Sequence, residues 1–402
     1  MKPWLTVIGI GDDGLAGLTP TARTLVETAE IIIGGVRHLA MVPEGTTERL
    51  PWGQPFSQSI ASIAAQRGRR VVVLASGDPM WYGAGALLAQ HFPRDEMTIL
   101  PHPSAFSLAA ARLGWPLADC AMVSVHGRPL DAFRLHLAPG RRVLILSEDG
   151  TTPASVSRLL TETGWAPSRM TVLEHLGGAA EKIHAAKAAE WGEKRVADLN
   201  TIALECHIVP GTRVFSRLAG LPDDAFEHDG QLTKREIRAA TLAVLAPVPG
   251  ETLWDVGAGC GSIAIEWLRS SEHLTAAAVE RDAGRAAAIA RNAAVLGVPS
   301  LQIIHGAAPV ALAGLPTPDA IFVGGGLSDP ALLPAMWQAL RSGGRLVANV
   351  ISTEGERTLL DWQARHGGNL TRLAISRAQK LGAHHAWRPL IPVTQLTAVK
   401  PG

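Results

Sequence analysis

Short apolar runs that end at glycine or charged residues alternate along this chain with stretches in which apolar residues recur at helical spacing. In the first half, the runs with strand character are 5–10, 31–33, 70–74 and 98–100. A helix is predicted over 20–28, because Thr19 is a suitable N-cap and proline stands at the first helical position. This alternation of strands and helices indicates an α/β fold.

The pattern restarts after Trp115. Strands are predicted over 121–125, 142–146 and 170–173, with a helix over 153–164. Glycine and charged residues follow these strands repeatedly, as in VHGR at 125–128 and EHLGG at 174–178. The first half is therefore expected to have two lobes, with a ligand-binding cleft between them.

The strand-like and helix-like spacing of apolar residues is lost over 206–231, where proline, glycine and aspartate cluster, and it returns at Thr233. Thr233 and Glu236 form a capping-box pattern that predicts the start of an amphipathic helix. The strands predicted after it are 252–256, 275–280, 301–305, 320–323, 345–350, 370–377 and 391–399, the last two joined by the loop QKLGAHHAWRP. The predicted domains are 1–205 and 232–402, with 206–231 as the linker.

One stretch of the second domain carries candidate chemistry. The strand 252–256 runs directly into Gly257-Ala258-Gly259-Cys260-Gly261, and a helix follows. Glycine permits positive φ and the close approach of a ligand, and a helix start offers unpaired N–H groups. The pattern D-x-G-x-G-x-G lacks the third small residue of a dinucleotide fingerprint. Glu280 ends the next strand, where a carboxylate suits the two hydroxyls of a ribose.

Composition narrows the range of functions. The chain has 402 residues, of which 47% are hydrophobic and 18% charged, and its formal net charge is +1. This near-neutral charge and an aromatic content of 5% disfavour a nucleic-acid partner. The three cysteines, Cys120, Cys206 and Cys260, show no zinc spacing, so no metal site is predicted and a reducing cytoplasm is the expected compartment. No apolar run approaches the ~20 residues of a membrane span, so no membrane partner is expected.

Several segments of the first half resemble a known family. GIGDDGLAGLT at 9–19, LASGDPMWYG at 74–83 and PSAFSLAAARLG at 103–114 are similar to segments of the tetrapyrrole methylases, the class III S-adenosylmethionine (SAM) methyltransferases. The resemblance covers about 4–205, and it is strongest to the members that methylate a precorrin ring at carbon 5. It implies a two-lobed domain. The residues that it implies for SAM binding are Gly77, Asp78, Tyr82, Gly83 and Ser104.

The second half resembles the class I SAM methyltransferases, which implies a seven-stranded Rossmann-like sheet. The segments TKREIRA at 233–239, DVGAGCGS at 255–262, HGAAP at 305–309 and FVGGG at 322–326 are similar to the cobalamin-pathway enzymes that methylate ring carbon 15 and decarboxylate the acetate arm at carbon 12. This resemblance implies SAM contacts from Thr233, the loop 257–261, Glu280, Ala307 and Ala308. Thr233 is alternatively only a helix cap, and the two roles are compatible.

Both resemblances in one chain identify it as a member of the bifunctional, decarboxylating precorrin methyltransferases. The family implies two SAM sites, one per domain, and methylation of precorrin-6B at carbons 5 and 15. It also implies loss of the carbon-12 acetate carboxyl as carbon dioxide, giving precorrin-8. A homo-oligomer is expected from the same resemblance.

No nucleophilic side chain stands out by motif, and methyl transfer from SAM needs none. Decarboxylation requires a proton afterwards, and His384 and His385 are candidates because imidazole titrates near neutrality. An exposed histidine pair without a catalytic role is the alternative. Arg377, Lys380 and Arg388 are candidates for pairing with the carboxylates of the substrate.

Three other functions remain open from the residues alone. One is a methyltransferase that acts on another small molecule. The second is a nucleotide-binding oxidoreductase, which the missing third glycine or alanine of the fingerprint disfavours. The third is a non-catalytic SAM-binding sensor.

Overall fold

The computed structural model describes residues 3–53 and 55–402. The chain forms two compact units. The first unit runs up to Arg128 and includes His136–Thr212, and the second consists of Pro129–Leu135 and Arg213–Gly402. Residues 213–231, which the sequence analysis placed in a linker, thus belong to the second unit. The domain bounds 1–205, 206–231 and 232–402 remain a proposal.

The first lobe of the first unit is a parallel sheet in the order β3-β2-β4-β1-β5. Its strands are β1 (Leu5–Ile10), β2 (Ile31–Gly34), β3 (Glu48–Pro51), β4 (Val71–Ser76) and β5 (Met97–Leu100). The helices are α1 (Pro20–Glu27), α2 (Val36–Ala40), α3 (Phe56–Ala64), α4 (Ala84–Leu88) and α5 (Ala105–Leu113). All of β1 is buried, as expected of a strand inside a sheet that is covered on both faces. Thr19 accepts the backbone N–H of Ala22, which confirms it as the cap of α1.

The second lobe is a mixed sheet in the order β6-β7-β10-β8-β9, parallel only between β6 and β7. Its elements are β6 (Cys120–Ser124), β7 (Arg142–Leu146), α6 (Thr152–Glu162), β8 (Arg169–Glu174), β9 (Lys182–Lys187), α7 (Ala188–Trp191) and β10 (Asn200–Glu205). The sequence analysis missed β9, whose residues are exposed or half-buried and carry no clear apolar alternation.

The second unit contains a seven-stranded sheet in the order β13-β12-β11-β14-β15-β19-β16, in which only β19 is antiparallel to its neighbours. Its strands and those of a separate hairpin are β11 (Thr252–Val256), β12 (Thr275–Glu280), β13 (Gln302–His305), β14 (Ala320–Val323), β15 (Arg345–Val350), β16 (Asn369–Leu373), β17 (Ser376–Leu381), β18 (His384–Pro389) and β19 (Val393–Val399). Its helices are α8 (Arg235–Leu245), α9 (Ser262–Ser270), α10 (Ala283–Val295), α11 (Leu332–Ala339) and α12 (Thr353–His366). The α/β class and the seven-stranded sheet are confirmed.

Two local predictions in this unit are wrong. The run 370–377 is not one strand, and QKLGAHHAWRP is not a loop, because β17 and β18 pair as an antiparallel hairpin around Gly382. Thr233 is not the side-chain cap of α8. The cap position falls on Lys234, and the carbonyl of Thr233 instead accepts a hydrogen bond from Arg238.

Within the described ranges, no helix combines the length and the apolar character that a membrane span requires.

Candidate active site

The glycine loop of the second unit connects β11 to α9 at the carboxyl edge of the sheet. Gly257, Gly259 and Gly261 have φ values of 72°, 59° and 79°. A Cβ on Gly257 would lie 2.9 Å from the backbone nitrogen of Gly325, and one on Gly261 would lie 2.7 Å from Cγ2 of Ile289. Backbone conformation and close packing therefore both require glycine at 257 and 261.

Two buried carboxylates support this loop from behind. Asp255 accepts the backbone N–H of Ala264 through Oδ2 at 3.0 Å, while its Oδ1 has no hydrogen-bond partner in the described parts of the chain. Burial, with a further contribution from the negative charge of Glu280, raises the pKa of Asp255 to about 7. Glu280 is 5% exposed and accepts the N–H groups of Gly259 at 2.8 Å and Asp282 at 3.0 Å. Glu280 thus ties the glycine loop to the end of β12.

A cavity of about 1130 Å³ opens beside the glycine loop. Its wall includes the predicted site residues Thr233, Gly257, Ala258, Gly259 and Cys260. The structure therefore brings most of the predicted SAM contacts of this unit together around one space.

The other predicted residues of this unit lie outside the cavity wall. Gly261 occupies the N-cap position of α9. Ala308 packs against the apolar core, and Gly306 just before the Ala307-Ala308 pair donates its N–H to the carbonyl of Glu280 at 2.9 Å. Direct contacts of Ala307 and Ala308 with the adenine of SAM therefore remain a prediction.

The cavity is also lined by residues that the sequence analysis did not select for the site. They include Lys234, Asn349 and the run of three glycines after β14, 324–326. Glycines directly after a strand were a usable signal for that run. Asn349 gave no signal, because its partners Thr241 and Gln395 are distant in sequence. The Asn349 amide donates to the Thr241 hydroxyl at 2.8 Å and accepts from Gln395 at 2.9 Å.

Within the second unit, a fully buried arginine connects the segment before α8 to α9. Arg238 Nε donates to Glu266 Oε1 at 2.6 Å, and a second guanidinium nitrogen donates to the carbonyl of Thr233 at 2.5 Å. Glu266 also accepts the N–H groups of Gly220 and Leu221, at 2.6 and 2.9 Å. The position of Thr233 at the cavity thus depends on the Arg238–Glu266 pair.

Pro389 at the end of β18 lines the cavity, but the hairpin residues that were predicted to act in the site do not. His384 and His385 are exposed on β18, and neither belongs to the cavity wall. Arg377 is already paired with Glu236 at 2.6 Å and with Asp223 at 2.9 Å. The proton-donor role of the two histidines remains a prediction, and Arg377 is bound to partners within the protein.

In the first unit, the predicted residues Gly77 and Ser104 lie next to each other. Gly77 has a φ of 57°, and a Cβ there would lie 3.1 Å from Cα of Ser104. Ser104 caps α5 by accepting the N–H of Ser107 at 3.1 Å. Asp78 accepts the N–H of Met80 at 2.8 Å, which makes a tight turn directly after β4.

Tyr82 and Gly83 complete this turn. Tyr82 has a φ of 57°, and its hydroxyl donates to the carbonyl of Met122 at 3.2 Å. The guanidinium of Arg128 lies 4.5 Å from the centre of the Tyr82 ring. A Cβ on Gly83 would lie 2.7 Å from the carbonyl oxygen of Pro79. The segment 76–83 is thus closely folded, with an aromatic side chain at its outer end.

A small cavity of about 60 Å³ lies beside this turn, and residues of both lobes line it. Asp12 and Arg37 line it with Gly77, and Arg37 Nη1 donates to Asp12 Oδ1 at 2.9 Å. His175 Nδ1 lies 3.0 Å from Asp12 Oδ2. The sequence analysis did not select these three charged or titratable residues as site residues, because they come from separate segments.

Next to this cluster, His38 is buried and its Nε2 lies 2.9 Å from the hydroxyl of Ser76. Burial, with the nearby positive charge of Arg37, lowers the pKa of His38 to about 4. His38 is therefore neutral at physiological pH.

Two family models match the chain. Residues 4–191 match the tetrapyrrole (corrin/porphyrin) methylases, and residues 224–400 match the precorrin methyltransferase domain.

Relatives of full and of partial length are similar to this chain. A precorrin-6Y C(5,15)-methyltransferase (decarboxylating) from Sinorhizobium sp is 50% identical over 401 residues, covering 100% of this chain and 97% of that protein. A cobalt-precorrin-7 C(5)-methyltransferase of Salmonella typhimurium is 35% identical over 180 residues, 45% of this chain and 89% of that protein. A probable cobalt-precorrin-6B C(15)-methyltransferase (decarboxylating) of Pyrobaculum aerophilum is 35% identical over 186 residues, 44% of this chain and 95% of that protein.

Proposed function

The chain belongs to the family of precorrin-6Y C5,15-methyltransferases (decarboxylating), and we propose from this that it methylates precorrin-6B at carbons 5 and 15. The proposed reaction also removes carbon dioxide from the carbon-12 acetate and gives precorrin-8. The single observation that carries the proposal is the 50% identity to the decarboxylating relative over the whole chain. The cytoplasmic location, the homo-oligomer and the lack of a nucleic-acid partner remain predictions from the sequence.

SAM is the methyl donor of this methyltransferase family, and we propose that each unit binds one molecule of it. In the second unit, the support is the glycine loop, in which a Cβ on Gly257 or Gly261 would collide with its neighbours. Glu280 is 5% exposed and lies behind the loop, and each of its oxygens already accepts one N–H group. Each oxygen keeps a second lone pair, and its use as an acceptor for a ribose hydroxyl is proposed from the family resemblance. The cavity of about 1130 Å³ exceeds the usual range of small-ligand sites, about 300–1,000 Å³. This size suits a cofactor together with part of a large substrate.

In the first unit, we propose the SAM site at the turn 76–83. Ligands in open parallel sheets bind at the carboxyl ends of strands, and this turn follows the central strand β4. Gly77 lines the cavity that residues of both lobes surround.

The proposed division of labour assigns carbon 5 to the first unit and carbon 15 with decarboxylation to the second. Two partial relatives support it, because their names separate the same two half-reactions between two shorter proteins. The two family models support it as well, because one covers the first half of the chain and the other the second half.

SAM supplies a methyl group that is already activated by the positive charge on sulfur. The residues of the chain therefore have to bind and orient rather than attack, and holding reactants in line lowers the barrier through proximity. In the second unit, Glu280 fixes the loop backbone through Gly259, and Arg238 fixes the backbone of Thr233, which also belongs to the cavity wall.

The test is the product mass after the whole chain is incubated with SAM and precorrin-6B. Gain of two methyl groups with loss of one carbon dioxide supports the proposal. A variant with Gly257→Val should prevent the second-unit reaction, so that no carbon dioxide is lost. If the wild-type chain binds SAM but leaves precorrin-6B unchanged, the chain has another substrate or is a SAM sensor, and the proposal fails.

A further inference from the structure

The first unit contains a charged cluster that joins its two lobes, and two of its members, Asp12 and Arg37, line the small cavity. Asp12 lies in the turn after β1, Arg37 in α2, and His175 directly after β8 in the second lobe. Asp12 Oδ1 accepts from Arg37 at 2.9 Å, and Asp12 Oδ2 lies 3.0 Å from Nδ1 of His175. A second Arg37 nitrogen donates to the Ser76 hydroxyl at 3.1 Å, which connects the cluster to the turn 76–83.

The Asp12 carboxylate is held firmly. Its side chain is 14% exposed, and a Cβ on the nearby Gly178 would lie 2.4 Å from Asp12 Oδ2. Two donors from different lobes therefore meet one carboxylate that has little room to move. This fixed acceptor selects the His175 tautomer in which Nδ1 carries the hydrogen.

The other ring nitrogen of His175 is available. Among the described residues, none forms a hydrogen bond with Nε2, and the His175 side chain is 32% exposed. A neutral imidazole with Nδ1–H directed to a carboxylate presents a basic lone pair on Nε2, and the carboxylate stabilises the imidazolium that forms after protonation. His175 also has a φ of 50°, which residues other than glycine adopt only at an energetic cost.

We propose that His175 accepts the proton that the macrocycle loses when the first unit transfers its methyl group, and that Asp12 and Arg37 are positioning residues for the imidazole. This inference rests on the proposed function. In the step, the ring carbon uses its electron pair to form a bond to the methyl carbon. The bond between methyl and sulfur breaks, and its electrons stay on sulfur. The macrocycle then carries the positive charge and releases one proton, which passes to Nε2.

The test uses the whole chain, because the second-unit reaction in the same molecule reports that the protein is folded. His175→Asn keeps a residue type that tolerates positive φ and hydrogen-bonds Asp12, but it removes the basic nitrogen. We expect the methyl group at carbon 5 to be added roughly 10²- to 10⁴-fold more slowly, as for loss of a general base. Methylation with decarboxylation by the second unit and SAM binding should be unchanged.

Chemical rescue separates a base from a structural residue. Glycine at 175 suits the φ of 50° and leaves space for a free imidazole. Added imidazole should therefore restore methylation by His175→Gly, and it should have no effect on His175→Asn. Asp12→Asn should reduce the same step less than His175→Asn, because the base remains but its orientation is weakened.

The matched control is Glu181→Gln. Glu181 accepts two hydrogen bonds from Arg112, at 2.6 and 2.9 Å, and one from the N–H of Gly177 at 2.7 Å, so it also fastens the segment after His175. This control should leave both methylations near the wild-type rate. The proposal is overturned if His175→Asn methylates carbon 5 at the wild-type rate, if Glu181→Gln slows that step equally, or if imidazole restores nothing. If the wild-type chain itself adds no methyl group, the proposed function has failed instead.

Discussion

The two units place charge differently around their proposed SAM sites. In the second unit, the cavity wall consists largely of glycine backbone and apolar side chains, with the charged residues Lys234 and Glu354 among them, and the carboxylates of Asp255 and Glu280 lie buried behind the loop. In the first unit, Asp12 and Arg37 stand in the cavity wall itself. Charges behind a wall hold the backbone and respond to pH through stability. The paired charges in the wall of the first unit instead position His175, the imidazole that we propose as the proton acceptor.

The largest effect is expected when the buried ion pair between Arg238 and Glu266 in the second unit is broken. Arg238→Ala leaves Glu266 charged and buried, and we expect the second unit to lose about 3–5 kcal/mol of unfolding free energy. Hydrogen exchange of the α8 and α9 amides, measured by mass spectrometry on the whole chain, reports this loss. Arg377→Ala is the control, because its ion pairs are partly exposed and contribute at most about 1 kcal/mol. Equal losses in the two variants would contradict the dependence on burial.

The next effect is a pH response of opposite sign in the two units. The pKa of Asp255 rises from 3.8 to about 7 on folding, so its contribution to stability is complete below about pH 4 and is lost as the pH rises towards 7. The pKa of His38 falls from 6.5 to about 4, so its contribution is complete above pH 6.5 and is lost as the pH falls towards 4. Each difference corresponds to a change on the order of 3–4 kcal/mol.

The measurement is the amide exchange of each unit across pH 4 to 7, corrected for intrinsic rates, in matched variants. Asp255→Asn should abolish the loss of stability that the second unit shows as the pH rises, without affecting the first unit. His38→Gln should abolish the loss of stability that the first unit shows as the pH falls, without affecting the second unit. If the two variants leave the pH dependence of amide exchange unchanged, other groups control the pH dependence of stability.

A smaller effect is expected from the carboxylate behind the glycine loop. Glu280→Ala removes charge-assisted hydrogen bonds worth ~1.5–3 kcal/mol, so SAM binding by the second unit should weaken roughly 10- to 150-fold. Calorimetric titration with SAM measures it, and binding by the first unit should not change. Asp282→Ala is the neighbouring control, because it removes the cap of α10 without touching the loop. Unchanged affinity in Glu280→Ala would refute the ribose assignment.

The smallest effect concerns the outer end of the turn in the first unit. Tyr82→Phe deletes the hydroxyl that donates to Met122, a hydrogen bond worth about 0.5–1.5 kcal/mol. SAM binding by the first unit should weaken about 2- to 12-fold, with the second unit unaffected. The same titration resolves this change, and a loss of more than a hundredfold would mean that the hydroxyl contacts SAM directly.

The second unit was the more predictable one, for a physical reason. The glycine loop at the centre of its site is one continuous segment, in which the strand β11, three glycines and the start of α9 follow each other, so local spacing carries the information for that part of the wall. The cluster of the first unit joins Asp12 to His175, which are 163 positions apart, and no local pattern reports such a contact. The hairpin of β17 and β18 was missed because its residues are mostly exposed and give no apolar alternation. The N-cap was predicted at Thr233, one residue before its actual place at Lys234, because a threonine three residues before a glutamate is the usual capping-box pattern.

The anchoring of Gly220 and Leu221 by Glu266 has a consequence for how such a gene changes over generations. Between 207 and 214 most residues are exposed, although His207, Val209 and Thr212 hydrogen-bond to Ser168 or Gly164, so the coding sequence there should accept insertions and deletions more readily than that for 220–238. From Gly220 to Arg238, a shift of one codon would move the amides away from Glu266 and leave a guanidinium without its partner in the protein interior. Length variation among descendants of this gene should therefore accumulate before Gly220 and be purged after it.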